Sequence, residues 1–247
     1  MLPRASSPVG IVLVDKPAGP SSFALVAELR KLTGARTGHA GTLDPFASGL
    51  LVLLSGAATR LAPCFVGLDK RYVTEIDLTA TTSTGDPEGE VLERHEAPST
   101  DQLEAKLAAL RGEVELPVPA ASAVKIAGER AYRLARRGIE VEMPVRRSHV
   151  YELALLEHEG GRATLGLHVS SGTYVRSIAA ALGGHCVSLR RTAVGPFAVG
   201  EANSDRFVPV AEALGRLPAE AVACVPAGVR NRVLEIGLAG RETERAG

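Results

Sequence analysis

The 247-residue sequence predicts a mixed, mainly antiparallel α+β fold. Three observations predict it. Several short segments alternate apolar and polar residues with period two, as half-buried strands do. Others carry apolar residues every three or four positions between recognisable caps, as amphipathic helices do. Turns between successive strands outnumber crossover helices, so hairpins outnumber parallel βαβ units.

Taken in order, residues 10–15 (Gly-Ile-Val-Leu-Val-Asp) read as a short buried strand, closed by the rigid turn Lys16-Pro17-Ala18-Gly19-Pro20. Ser21 or Ser22 caps a helix whose Leu25, Val26, Leu29 and Leu32 share one face, and Gly34 ends it. Residues 34–48 form a polar, glycine-rich loop, followed by an apolar run at 50–54 and a helix within 57–68. Residues 71–78 alternate as a strand with Tyr72, Thr74, Ile76 and Leu78 on one side, and 79–90 are turn formers. Ser99-Thr100-Asp101-Gln102 is a capping box opening a helix that aligns Leu103, Leu107 and Leu110. Residues 146–157 and 162–170 pair as a hairpin around Glu159-Gly160-Gly161. Val175, Ile178, Ala179 and Leu182 then mark a helix stopped by Gly183-Gly184, with a strand at 186–194 and a short helix after Pro209. Residues 216–247 are an Arg/Glu-rich tail in which Val229, Val233, Leu234 and Ile236 suggest either a vestigial strand pair or a frayed terminus.

Composition narrows the function. With 45% hydrophobic and 23% charged residues the chain has the make-up of a globular domain with a core. Its 28 basic and 28 acidic residues cancel, so any phosphate contact has to come from a local cluster. Cys64, Cys186 and Cys224 are far apart and form no CxxC pair, which points away from a disulfide framework or a zinc knuckle. His185-Cys186 lacks the second pair of ligands a metal needs, so no metal site is expected. No secretory n-region or apolar run of ~18 residues is present, and a cytoplasmic location without membrane association is expected.

The informative stretch is Gly38-His39-Ala40-Gly41-Thr42-Leu43-Asp44-Pro45-Phe46-Ala47-Ser48-Gly49. Small residues let a ligand approach the backbone closely. Pro45 biases Asp44 toward extended geometry, presenting one carboxylate from a loop. By pattern alone an Asp-Pro pair is most often a turn. The wider sequence adds Asp15-Lys16-Pro17-x-Gly19, Asp69-Lys70-Arg71-Tyr72, and Ser122-Ala123-x-Lys125-x-x-Gly128 with Tyr132 and Ala135-Arg136. Further on come Gly172-Thr173-Tyr174-x-Arg176 and Leu189-Arg190-Arg191.

In this order, over roughly residues 9–195, these motifs resemble the tRNA pseudouridine-55 synthases of the bacterial TruB type. The resemblance implies the pseudouridine synthase fold: a catalytic domain at 1–215, with an inserted, RNA-gripping helical lid at about 100–145. The short tail, 216–247, would then be a reduced RNA-binding extension. It implies isomerisation of uridine 55 in the T-arm loop of tRNA, with no cofactor, and a protein acting as a monomer without an obligate protein partner.

The reaction moves the ribose C1′ from N1 to C5 of one uracil, so nothing is oxidised and no group is donated. Asp44 suits attack on C1′ or stabilisation of positive charge there. Tyr72 offers a stacking face and, by resemblance, a base; a tyrosine alternating with aliphatics is otherwise core. The resemblance assigns Arg176 to keep the carboxylate ionised, with Tyr174 lining the pocket, and His39 to wedge into the space left by the flipped uridine. It adds Lys16, Lys70, Lys125 and Leu189 as substrate-binding residues. The other histidines read as structural. Lys125, Arg130, Arg133, Arg136, Arg137, Arg146 and Arg147, with Arg190-Arg191, form the local basic clusters available to RNA. Ala121 stands where the family often has an aromatic. The alternatives are a pseudouridine synthase acting on another RNA and a catalytically silent RNA-binding or RNA-folding protein.

Overall fold

The structure is a computed structural model that describes residues 8–122, 124–126, 128–131, 137, 139 and 142–245. Strand β1 (Gly10–Lys16) leads into α1 (Ser22–Thr33), β2 (Thr37–His39), β3 (Ser48–Ser55), a 3-10 segment Gly56–Leu61 and α2 (Ala62–Val66). Next come β4 (Lys70–Asp77), β5 (Ala80–Thr82), β6 (Val91–Arg94), α3 (Thr100–Ala109) and β7 (Gly112–Pro117). The short strands β8 (Lys125–Ile126) and β9 (Glu129–Arg130) precede β10 (Val145–Glu159), β11 (Arg162–Val169), α4 (Val175–Leu182), β12 (His185–Val194) and β13 (Phe197–Ala198). Helices α5 (Val210–Gly215), α6 (Ala219–Ala223) and α7 (Ala227–Arg245) follow. The chain divides into two units, one of residues up to 70 with those from 190 onward, the other of residues 71–189.

In the first unit β1 runs antiparallel to β3 along its whole length, from Gly10 opposite Ser55 to Lys16 opposite Gly49. From Leu50 to Leu54 β3 is apolar at every position because both faces are covered. Val12, Leu51 and Leu53 meet Val26 and Leu29 of α1 on one side. Ile11, Leu50, Val52 and Leu54 meet Leu61, Phe65 and residues of the last three helices on the other. Helix α1 begins where Ser21 Oγ accepts from Ala24 N and ends at Gly34, whose φ of 65° closes it in the left-handed region. Leu32 departs from the expected buried face and is 77% exposed. Two three-residue steps from Val26 carry it roughly 120° around the helix, off the stripe.

The C-terminal tail is also corrected. Instead of a strand pair or a frayed end it forms α6 and α7, and Val225 and Val233 are buried in the core of this unit. Val229 and Val233, four residues apart, fall on one helical face, and docking against a formed core supplies the stability a short isolated helix lacks. Residues 37–39, expected within a loop, instead pair with β3.

In the second unit the strand order is β12, β4, β11, β10, β7. The β10–β11 hairpin turns at Gly160-Gly161, with φ of 57° and 80°, values that a two-residue turn of this hand requires. Tyr72, Thr74 and Ile76 of β4 and Ala163, Leu165, Leu167 and Val169 of β11 are buried, as the alternation predicts. Helix α3 carries the expected capping box: Ser99 Oγ accepts from Gln102 N and Gln102 Oε1 accepts from Ser99 N. Its Leu103 and Leu107 are fully buried, each contributing about 2 kcal/mol. Within the segment read as a lid, α3 packs on β10, and β7 hydrogen-bonds to β10 from Pro117 opposite Val145 to Gly112 opposite Val150. Residues 100–117 are therefore part of this unit's framework. Of the motif residues, Ala123, Tyr132, Ala135 and Arg136 lie outside the described residues, as does Arg133 of the basic run.

Candidate active site

The loop carrying Asp44 is held residue by residue within the first unit. Arg191 Nη2 donates to Gly41 O (3.0 Å) and Nη1 to Thr42 O (3.3 Å). The Ser22 hydroxyl accepts from Leu43 N and donates to Leu43 O, both at 2.8 Å. Pro45 O accepts from Gly19 N (2.8 Å) and from Lys16 Nζ (3.3 Å). Ala47 N returns to Asp44 O (3.1 Å), and Arg191 Nε reaches Leu50 O (2.7 Å). Asp44 sits half-buried in irregular backbone, as the following proline dictates.

Lys16 and Lys70 were expected to face substrate. Lys16 is fully buried, and its ammonium also donates to Pro17 O and Pro20 O, tying the Lys-Pro turn to the loop. Burial lowers its pKa, the Asp44 carboxylate works in the opposite direction, and Arg191 lowers it further. Lys70 is buried too and donates to Val66 O and Leu68 O. Burial first and Arg191 second bring its pKa down to about 8, against a smaller upward pull from Asp69. His39, half-buried on β2, is held below its ordinary value by burial and by Arg191, which favours the neutral ring. Its Nδ1 is buried without a hydrogen-bond partner among the described residues.

Arg191 itself is a correction. As part of Arg190-Arg191 it was expected to contact phosphate, yet it is 2% exposed and its guanidinium is taken up by three protein carbonyls. A guanidinium with five donors is suited to that task. Arg190 forms a two-pronged ion pair with Asp15 at 2.7 and 3.0 Å.

The second unit holds Tyr72, Lys125, Tyr174, Arg176 and Leu189. Tyr72 and Leu189 are buried, Tyr174 is half-buried at the start of α4, and Lys125 is exposed on β8. Arg176 is 3% exposed and donates to Thr84 O (2.7 Å) and Ala121 O (2.9 Å), with Asp86 Oδ2 at 3.4 Å. Asp86 is buried, accepts from the Thr84 hydroxyl (2.6 Å) and from Glu88 N (3.1 Å), and was missed by the sequence reading. The available signal was Asp86-Pro87, a second Asp-Pro pair, hidden among turn formers. Because Ala121 meets Arg176 through its carbonyl, the missing aromatic side chain leaves that bond intact. In the basic run Arg137 pairs with Glu129 and Arg147 with Glu115, both partly exposed and weak. Among the described residues no group of three or more His, Cys, Asp or Glu gathers as metal ligands do, and no helix is long and apolar enough to cross a membrane.

Residues 30–175, more than half of the chain, match the family model described as TruB family pseudouridylate synthase, N-terminal domain. The chain belongs to the TruB family. It is 44% identical to the tRNA pseudouridine synthase B of Leifsonia xyli, over 83% of this chain and 73% of that protein. It is 37% identical to the one of Chromohalobacter salexigens, over 98% and 88% respectively. Among solved structures a Cbf5–Nop10–Gar1 complex matches with a TM-score of 0.60 and 29% identity over 78% of this chain. An H/ACA ribonucleoprotein bound to a substrate RNA containing 2′-deoxyuridine matches with a TM-score of 0.57 and 26% identity over 79%. The chain spans about half the length of those two matched chains. The α+β fold with its mainly antiparallel sheet is thus the fold of a TruB-family pseudouridylate synthase.

Proposed function

We propose that this chain isomerises a uridine to pseudouridine in the T-arm loop of tRNA, at position 55, with Asp44 as the essential carboxylate. The observation that carries the reading is the Asp44 loop, whose backbone is pinned on both sides of the aspartate by Arg191, Ser22, Lys16 and Gly19. Such pre-organisation serves a carboxylate that must meet one atom, C1′, to within a fraction of an ångström. The names of the 37–44% identical relatives support tRNA as the substrate.

On this reading Asp44 engages C1′ as the glycosidic bond to N1 breaks, the detached uracil turns, and its C5 bonds to C1′. The C5 proton then leaves and N1 gains one, so the product is an isomer of the substrate and no co-reactant is consumed. Tyr72 offers the flat face for the base and a hydroxyl for proton movement. Arg176, fixed by Thr84, Ala121 and Asp86, supplies a buried positive charge for the carboxylate chemistry. His39, neutral and flat, fills the stack vacated by the flipped uridine. Tyr174 and Leu189 line the base pocket, Lys125 contacts RNA phosphate, and Lys16 and Lys70 act from beneath as supports. The protein works in the cytoplasm as a monomer without an obligate protein partner.

The test is incubation of the purified chain with unmodified tRNA, followed by pseudouridine mapping, with Asp44→Asn as control. The wild type is expected to modify position 55. Asp44→Asn is expected to lose at least about three decades of single-turnover rate, or ~4 kcal/mol of barrier, while its RNA affinity stays within a few-fold. Modification of other RNAs but not tRNA would transfer the activity to a different substrate. Near-normal turnover by Asp44→Asn would move the chemistry to another residue.

A further inference from the structure

We propose that Arg191 is the positioning residue of the reaction: its guanidinium closes the neck of the Asp44 loop and thereby sets where the carboxylate stands. The inference rests on the function proposed above, and Arg191 itself acts through the Asp44 loop.

The geometry is specific. The loop leaves its first anchor at Gly41-Thr42 and re-enters regular structure at the start of β3, and Arg191 bonds to Gly41 and Thr42 before it and to Leu50 within β3. On the entry side it takes the Gly41 and Thr42 carbonyls, and on the exit side the Leu50 carbonyl, each with a different guanidinium nitrogen. Its main chain pairs in parallel register with Gly49, where a side chain would overlap the Arg191 backbone and where φ is 102°. A Cβ on Gly41, also at positive φ, would lie 3.7 Å from Arg191 Nη1. Gly49 is therefore required by the arginine backbone that packs against it, while at Gly41 there is room for a Cβ and the positive φ of 108° is what favours glycine.

The chemistry is equally specific. Three carbonyls arranged around one point offer no negative charge, so the site selects a planar, multiply donating cation and not a carboxylate partner. A lysine ammonium can meet three carbonyls that converge on one nitrogen, as Lys16 does with Pro17, Pro20 and Pro45. The acceptors around Arg191 are instead spread over Nε, Nη1 and Nη2, which one nitrogen cannot span. The positive charge also reaches Lys16, His39 and Lys70, each of whose pKa it lowers.

The experiment compares wild type, Arg191→Lys and Arg191→Gln by two independent readouts. Amide hydrogen exchange reads the clamp without reference to activity: protection at residues 40–50 should fall in both variants while that of β10 and β11 stays unchanged. Single-turnover pseudouridine formation reads the consequence: the rate should drop roughly a hundredfold, with RNA affinity within about three-fold, and Lys should not rescue it. Unchanged protection at 40–50 overturns the clamp. Lost protection with an unchanged rate overturns the positioning role, and so does a rate that falls only as far as affinity does. Global unfolding of both variants assigns Arg191 to overall stability and overturns the local role. If wild type makes no pseudouridine at all, the function fails, and the exchange experiment still decides the clamp.

Discussion

Lys70 shows how burial tunes a single side chain. Removing an ammonium from water disfavours its charged form, and the nearby Arg191 charge adds to the effect, so the group titrates at about 8 instead of its ordinary 10.5. Between those two values the unfolded chain holds the proton and the folded chain has released it. Folding stability from this group therefore rises as pH climbs through that window. The stability difference between wild type and Lys70→Met, measured by urea unfolding at about pH 7.5 and about pH 10, is expected to shift in favour of wild type at the higher pH. A difference that stays flat would place the Lys70 ammonium in water. Arg176 represents the other solution, in which a buried guanidinium is met by Asp86 and two carbonyls.

At the level of elements, α7 is the piece whose importance is easiest to underestimate. Its polar composition looks like a solvated tail, yet Val233 is fully buried against the same core as Phe65 and Leu54. A charge there would be cut off from water. Val233→Asp is expected to destabilise the protein by at least about 3 kcal/mol in urea unfolding, whereas Leu238→Asp, 60% exposed on the same helix, should change it by no more than about 0.5 kcal/mol. Equal, small effects would mean that α7 does not dock. The same logic accounts for the apolar β3 run: both of its faces are covered, so alternation disappears.

For the whole molecule, the balance of 28 basic and 28 acidic residues means that RNA affinity comes from local contacts and not from a global field. Base flipping costs a few kcal/mol, and only contacts to the surrounding stem and loop can supply that. A T-arm stem-loop is therefore expected to be turned over while free UMP is not, read out by pseudouridine analysis of both after equal incubation. Equal turnover of UMP would show that the active site needs no remote binding energy.

By itself the sequence determined the local elements and singled out the loop that carries Asp44. Period-two alternation exposed β4 and β11, the Ser99 box located α3, Gly183 ended α4, and the run from Gly38 to Gly49 marked Asp44. These features are local, because dihedral preference, capping and alternation act over a few residues. Tertiary structure alone decided which cations face inward. Lys16, Lys70 and Arg191 look in sequence like RNA contacts, but each is taken up by carbonyls that come from elsewhere in the chain or from a turn. The partnership of Asp86 with Arg176 spans 90 residues and left only an Asp-Pro pair as its trace. Helix α7 was similarly hidden, since its stability comes from a core assembled by β1, β3 and α2. Whether a charged side chain meets solvent or a carbonyl is set by what the fold brings beside it, and no short-range pattern encodes that.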